Sequence, residues 1–542
     1  PGRRARLTPR PDARARRPWR RHPALWLPLA ALGGAAQSVA SFDSALWPLP
    51  LVAIALLAWA VGGATARGAA ALGWAFGTGW LCAGTWWLFI SLHRYGGLPA
   101  PLAVAAVLLL AAFLSLYLGL AMAWVAHRQR RRPWRDATRF AAAWLAAELA
   151  RGVLFTGFPW AASGYSQVDG PLAVLAPWIG VYGLGALMAW AAALAGYTLR
   201  ASTARWYQAD GPRPPWPPAL GIALSVLMLP ALWGAVQGAP DFTQPGRSLR
   251  VALLQTNVAQ DEKFAIERLP DALSWVAKAL ATAQADLVIT PETAVPLLPD
   301  QLQEIAPGYW PALQRQFSRA DGPAALVGVP LGSSTQGYTN SVVGLGAGQP
   351  AAGYRYDKTH LVPFGEFIPL GFHWFTELMQ IPLGDFNRGP ANPPSFTVRG
   401  ERVAPNICYE DLFGEELARR FAVEATAPTV LANVSNIGWF GHTIALPQHL
   451  NISRMRSLEL QRPMLRATNT GMTAVIDHRG VVTAALKPFS QGVLQATVQG
   501  RTGLTPFARW SAAWGLWPLL ALAAAGLLLP RPRARPHGQG AR

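Results

Sequence analysis

The chain is poor in charge, in lysine and in cysteine. Charged residues make up 14% of its 542 residues, against roughly 25% in a soluble domain, and this turns the reading away from an ordinary globular protein towards a membrane. Only four of its 47 basic residues are lysines, a bias that gives each lysine kept some diagnostic value. The two cysteines, Cys82 and Cys408, lie in an apolar run and in a distant polar block, so they do not make a disulfide framework. His442, His449 and His478 lack the compact spacing of a zinc site, and no metal is expected.

What is abundant is apolar: hydrophobic residues reach 51%. Eight runs approach the roughly 20 residues a helix needs to cross a bilayer: Ala24–Ser41, Ala45–Ala64, Ala69–Leu92, Leu98–Ala126, Ala137–Phe155, Pro171–Leu199, Pro217–Gln237 and Trp510–Leu529. The first contains Gln37, and a cleaved signal peptide is its rival reading. The net charge of +19 would suggest nucleic acid if it were spread over a folded domain. It is not, because 239–509 holds 22 basic and 22 acidic residues. The excess sits beside the apolar runs, as in the nine arginines up to Arg21 and the run His127–Arg135. Positive loops mark the cytoplasmic side. Eight crossings then place both termini in the cytoplasm and 239–509 outside, with no nucleic-acid partner expected. The domains expected are a basic tail 1–23, a membrane part 24–238 with seven spans, an outer domain 239–509, a last span 510–530 and a basic tail 531–542.

Within the outer block, Leu249–Gln255, Ala285–Thr290, Ala324–Val329, Thr429–Val434 and Thr473–Asp477 read as short strands. Pro270–Gln284, Glu415–Ala425 and Gln448–Leu460 read as helices between them. Such alternation predicts a layered α/β domain. Three segments offer chemistry at the ends of β-rich runs: Thr290-Pro291-Glu292, Asp357-Lys358-Thr359-His360, and Asn406-Ile407-Cys408-Tyr409-Glu410. A thiol is mostly protonated at neutral pH. A carboxylate beside it can take the proton, and an ammonium can stabilise the oxyanion that follows. Glu292, Lys358 and Cys408 therefore suffice for acyl transfer through a thioester. Taken singly, each is more often a surface charge or a buried small residue. Phe367–Phe386, with Trp374 and Phe375, is aromatic enough to be either a buried loop or a lid dipping into the lipid interface.

The order and context of these residues resemble the nitrilase superfamily, and longer strings resemble its membrane branch, the apolipoprotein N-acyltransferases. The strings are His360-Leu361-Val362-Pro363-Phe364-Gly365-Glu366, Ile407-Cys408-Tyr409-Glu410, Gln448-His449-Leu450, Leu465-Arg466-Ala467-Thr468-Asn469 and, in the membrane half, Thr156-Gly157-Phe158-Pro159-Trp160. The resemblance implies an α-β-β-α nitrilase-like sandwich on a polytopic helical membrane domain. It implies Glu292 as general base, Lys358 as oxyanion stabiliser and Cys408 as nucleophile. Glu366 would hold the lysine or the base. Tyr409 and Glu410 would shape the acyl site, Gly157 and Trp160 would face it from the membrane side, and Trp439 would take part in binding. The implied reaction moves an acyl chain from a glycerophospholipid, typically phosphatidylethanolamine, to the α-amino group of a diacylglyceryl-cysteine on an apolipoprotein. No cofactor is implied, and a monomer in the bacterial inner membrane is expected. Ile437, Phe264, Thr290 and Thr359 depart from the family's usual residues. Two rival readings are a membrane-anchored nitrilase-type amidase and a non-catalytic membrane scaffold.

Overall fold

The computed structural model describes residues 23–129, 132–206, 216–333, 335–347, 353–369 and 386–529. The basic tails, Arg130, Arg131, Arg213 and most of the aromatic stretch Phe367–Phe386, including Trp374 and Phe375, lie outside the described residues.

Twelve strands form two six-stranded sheets among the described residues. The first sheet contains β1 (Gln244–Gln255), β2 (Leu287–Ile289), β3 (Ala324–Ser333), β4 (Gly337–Leu345), β5 (Tyr354–Asp357) and β12 (Gly492–Thr502), in the order β12-β1-β2-β3-β4-β5. The second contains β6 (Phe396–Val398), β7 (Glu401–Ile407), β8 (Val430–Ser435), β9 (Met464–Thr468), β10 (Ala474–Ile476) and β11 (Val482–Ala485), in the order β11-β10-β9-β8-β7-β6. Strands β1, β2 and β3 pair in parallel, as do β7, β8 and β9. Parallel neighbours need long crossovers, and helices Leu269–Thr282, Tyr309–Phe317 and Ala445–Leu460 lie in them.

Alternation along the strands explains the layering. Leu249, Val251 and Leu253 of β1 pack inward with Val403, Ile407, Val434 and Leu465 of the other sheet. Ala252 and Leu254 point the other way, onto Leu273, Val276 and Phe317 of the covering helices. On the far face of the second sheet, Ala404 and Leu431 meet Leu417, Leu460 and Phe507. The order helix, sheet, sheet, helix follows, which is the sandwich expected. Burying each such side chain is worth about 1.5–3 kcal/mol.

The amino-terminal half is helical. Among the described residues, two helices are long and apolar enough to cross a membrane by length and composition, Ala100–Arg128 and Ala173–Ser202. Leu25–Val39, Pro48–Val61 and Leu220–Val236 are shorter apolar helices. Helix Pro133–Val153 carries Asp136, Arg139, Glu148 and Arg151, all buried. They pair as Arg139 with Asp136 at 3.5 Å and Arg151 with Glu148 at 3.3 Å. The run Ala137–Phe155, expected as an apolar span, thus belongs largely to a helix that carries two buried ion pairs.

The expected last span, Trp510–Leu529, is not one helix. Pro506–Trp514 and Trp517–Leu527 meet at 89°. The break is at Gly515, whose φ is +54°, and Pro518 opens the next helix, as proline tolerates a first turn. The first of the two straddles the expected boundary at Arg509 and packs Phe507 and Ala508 onto the second sheet.

The two halves share a core. Tyr409, Leu412, Phe413, Ala445, Ile452 and Met455 of the sandwich are buried with Trp144, Trp160, Tyr165 and Leu184 of the bundle. Gly180 shows why one junction needs glycine. Its φ is +64°, and a Cβ there would lie 2.4 Å from Phe507 Cε2. The kink frees the Val181 N–H, which donates to Glu459 Oε1 at 2.7 Å, a carboxylate where a helix start favours negative charge.

Candidate active site

The three candidates stand at strand ends on one rim of the sandwich. Cys408 follows β7, Glu292 lies three residues beyond β2, and Lys358 directly follows β5. Cys408 has φ +53°, a left-handed conformation unusual for a residue with a side chain. Two donors hold its carbonyl there: Asn433 Nδ2 and His449 Nε2, both at 3.2 Å.

Glu292 and Lys358 are locked by a polar lattice. Lys358 Nζ lies 3.7 Å from Glu292 Oε1 and 2.9 Å from Glu366 Oε1. Asn340 Nδ2 donates to both carboxylates, at 2.7 Å and 2.8 Å. The other Glu292 oxygen accepts the Asn436 backbone N–H at 2.7 Å, and the other Glu366 oxygen accepts the Val362 N–H at 2.8 Å. Glu366 thus holds Lys358 directly and reaches Glu292 through Asn340.

The electrostatics fit a resting neutral thiol beside a charged pair. Burial and the Glu292 carboxylate push the Cys408 thiol well above its ordinary value, with Lys358 pulling the other way. Burial alone would lower the Lys358 ammonium. Glu366, Glu292 and Cys408 outweigh it, and the group is held above its ordinary value. Such a thiol needs an adjacent base at the moment of attack.

Glu410 is buried, and its carboxylate accepts four donors: Tyr356 O–H at 2.5 Å, Ile407 N–H at 2.6 Å, Thr359 N–H at 2.6 Å and His360 N–H at 3.1 Å. It ties the lysine loop to the start of the cysteine turn. Tyr409 points to the bundle, where its O–H donates to the Gly157 carbonyl at 2.9 Å. His360 lies stacked on Phe413 with ring centroids 3.6 Å apart, and its Nε2 is 3.0 Å from the Thr156 carbonyl.

Trp160 stacks on His449 with centroids 5.5 Å apart. Its N–H and that of Trp87 both donate to Gln448 Oε1, at 2.9 Å and 3.0 Å. Gln448 Nε2 in turn donates to Ser41 Oγ and to the Gly84 carbonyl. Trp439 is half-buried and meets the edge of Tyr95 at 5.6 Å. Ile437 is fully buried, whereas Phe264 is exposed.

Several residues escaped the sequence reading. Asn340 and Asn436 carry no charge to flag them. Asp411 and Arg466 contact His449, which bonds the Cys408 carbonyl, and Ser453 bonds Asp411. Arginine only donates, so the 3.0 Å contact of Arg466 with His449 Nδ1 makes Nδ1 the acceptor and leaves the proton on Nε2. Lys263 is buried, and its Nζ donates to the Glu292 carbonyl at 3.0 Å. Burial brings this ammonium down to about 8, against the pull of Glu292 and Cys408. The scarcity of lysine that singled out Lys358 was the signal available for it.

Comparison with known proteins follows the same division of the chain. Residues 33–194 match the apolipoprotein N-acyltransferase N-terminal domain, and residues 250–507 match the carbon-nitrogen hydrolase family. The apolipoprotein N-acyltransferase of Verminephrobacter eiseniae is 51% identical over 511 residues, covering 90% of this chain and 93% of that one. That of Ralstonia nicotianae is 48% identical over 489 residues, covering 89% of each. Among solved structures, a carbon-nitrogen hydrolase from Helicobacter pylori G27 overlays 51% of this chain and 94% of its own at 16% identity and a TM-score of 0.35. With relatives this similar over nearly their whole length, the chain belongs to the apolipoprotein N-acyltransferase family.

Proposed function

We propose that this chain moves an acyl chain from a glycerophospholipid, with phosphatidylethanolamine as donor, to the α-amino group of the N-terminal S-diacylglyceryl-cysteine of apolipoproteins. The Cys408 thiol gives its proton to Glu292 as the sulfur attacks the ester carbonyl. Lys358 stabilises the oxyanion. The ester C–O bond breaks, Glu292 returns the proton to the departing lysophospholipid hydroxyl, and a thioester remains. The acceptor's amine then attacks the thioester and loses a proton to Glu292. The C–S bond breaks, the amide forms, and the sulfur recovers its proton from Glu292.

The observation that carries this reading is the Glu292–Lys358 pair, 3.7 Å apart and acting on the Cys408 thiol, with Tyr409 beside that cysteine bonded to the Gly157 carbonyl of the helical half. That bond to the helical half favours lipid substrates over the small amides of a membrane-anchored amidase. Both substrates are anchored in the outer leaflet, which raises their effective concentration. Eight crossings, both termini in the cytoplasm, the sandwich in the periplasm and a monomeric chain complete the proposal.

Mass spectrometry of the intact purified protein tests it. The wild type should carry an acyl adduct on Cys408, and Cys408→Ala should carry none. Cys408→Ser should form it far more slowly, because an unactivated hydroxyl is the weaker nucleophile. Incorporation of labelled acyl chains into lipoprotein by Cys408→Ala would overturn the mechanism.

A further inference from the structure

His449 has no part in the steps above, yet it bonds the backbone of the proposed nucleophile. It is fully buried on the helix Ala445–Leu460, and both ring nitrogens are used. Nδ1 accepts from Arg466 Nη2 at 3.0 Å. Nε2 therefore carries the proton, shared between the Cys408 carbonyl at 3.2 Å and Asp411 Oδ1 at 3.0 Å. The partners are themselves fixed. Asp411 Oδ2 accepts from Ser453 Oγ and lies 3.3 Å from Arg466 Nη1. Arg466 also donates to Ser453 and, at 3.3 Å, to the His449 carbonyl. Ser453 stands four residues after His449, on the same face of the helix. Asp411, Ser453 and Arg466 are fully buried too.

Such a lattice sets one tautomer and one orientation of the imidazole, and the group it is aimed at is strained. Cys408 has φ +53°, a conformation that a residue with a side chain keeps only where its surroundings over-determine it. If the Cys408 carbonyl swung away from its donors, the backbone would turn at that residue and carry the thiol with it. Asn433 Nδ2 is the second donor to this carbonyl, at 3.2 Å. The helical half closes the arrangement. The Trp160 ring lies on the imidazole with planes 17° apart and centroids 5.5 Å apart, within the range of offset stacking. Its N–H donates to Gln448 Oε1 at 2.9 Å, so the indole is tied to the same turn of helix that it covers.

We propose that His449 is a positioning residue for acyl transfer: its Nε2–H holds the Cys408 carbonyl in the left-handed turn that aims the thiol, and Trp160 of the helical half holds the imidazole in place. The inference rests on Cys408 being the nucleophile. His449 touches no substrate and moves no proton. Its contribution is the direction in which the sulfur points when the ester carbonyl arrives.

The test compares two amides in the full-length protein in detergent. His449→Gln can set an N–H where Nε2 stood. The shorter His449→Asn sets its amide near Nδ1, within reach of Arg466 but not of the Cys408 carbonyl. Both give up the stacked ring, so the reach of the donor is what differs. Single-turnover acylation by labelled phosphatidylethanolamine gives a rate constant, a half-saturating lipid concentration and a plateau. His449→Asn should lower the rate constant about 10²-fold, the scale of a reacting atom displaced by about 1 Å, with the other two quantities unmoved. His449→Gln should recover most of that loss. His449→Asn at the wild-type rate constant overturns the inference. So does a His449→Gln protein as slow as His449→Asn, and so does a loss confined to the plateau or to the lipid concentration, which would be a structural or a binding defect. If either variant does not accumulate as folded protein, Trp160→Leu decides: a lower rate constant at unchanged half-saturation supports the inference, and any other outcome overturns it. Cys408→Ala separates the two layers. Acyl transfer by Cys408→Ala removes the nucleophile assignment, whereas an inert Cys408→Ala beside an unimpaired His449→Asn removes only the role of His449.

Discussion

Replacing Gly157 with alanine should disable acyl transfer while leaving the sandwich folded. Gly157 has φ +83° and ψ 144°, a region open to glycine and costing other residues about 1–3 kcal/mol. It follows two other left-handed residues, Phe155 and Thr156. A Cβ on Gly157 would lie 2.0 Å from the Gly152 carbonyl oxygen, which is backbone and cannot turn aside. The loop must move, and three contacts move with it: Phe158 N–H to the Arg151 carbonyl at 2.7 Å, Tyr409 O–H to the Gly157 carbonyl at 2.9 Å, and His360 Nε2 to the Thr156 carbonyl at 3.0 Å. At about 0.5–1.5 kcal/mol each, with the backbone strain added, the displacement costs about 2.5–7.5 kcal/mol if none re-forms. Tyr409 adjoins Cys408, the proposed nucleophile, and His360 is two residues from Lys358, so the loss should fall on acyl-enzyme formation. The assay is the rate of acyl-adduct formation from labelled phospholipid, beside the melting temperature in detergent. Tyr409→Phe, which removes one hydrogen bond, should show a smaller loss. A Gly157→Ala protein with wild-type rate and melting temperature would refute the reasoning.

Three further outcomes are expected. Glu292→Gln should lower the acylation rate by about 10²–10⁴-fold, the range of a lost general base, with stability little changed, measured by single-turnover acylation. Glu410→Gln puts amide donors where two of four incoming donors now point. It should cost about 2–4 kcal/mol and lower both melting temperature and acylation. Glu415 is raised by burial from 4.5 to about 7, with Glu416 and Glu459 adding to the shift and Arg456 opposing it. A raised carboxyl gives stability that is whole below its unfolded value near 4.5 and lost as pH rises through about 7. The melting temperature should therefore fall between pH 5 and pH 8, by up to about 3 kcal/mol in stability from this group, and Glu415→Gln should make that fall shallower, leaving the part due to Glu459, which burial also raises to about 7. An unchanged slope in the variant would count against it.

The strands β1, β3 and β8 were legible because buried β-branched runs bounded by turn residues have few other readings. Strand β4 (Gly337–Leu345) and strand β12 (Gly492–Thr502) were not read. Their glycine, glutamine and threonine carry a weak apolar signal, and long-range pairing with β3 and β1 supplies what local preference does not. The placing of Glu292, Lys358 and Cys408 at strand ends was legible because their residue types are few and follow β-rich runs. The lattice around them was not, since Asn340 acts through a neutral amide and Asn436 through its backbone, and neither leaves a mark in composition. The bend in the last apolar run was not legible because hydropathy runs unbroken through Gly515, where the backbone turns.

The shared core of Tyr409, Phe413, Ile452 and Met455 with Trp160 and Tyr165 has a practical consequence. The hydrolase-like half is no detachable enzyme. Cut away from its helices, it would turn a greasy underside to water and lose the carbonyl that anchors the tyrosine next to its sulfur. A truncated protein of this kind should come out of cells as aggregate, and whatever remained dissolved should be inert.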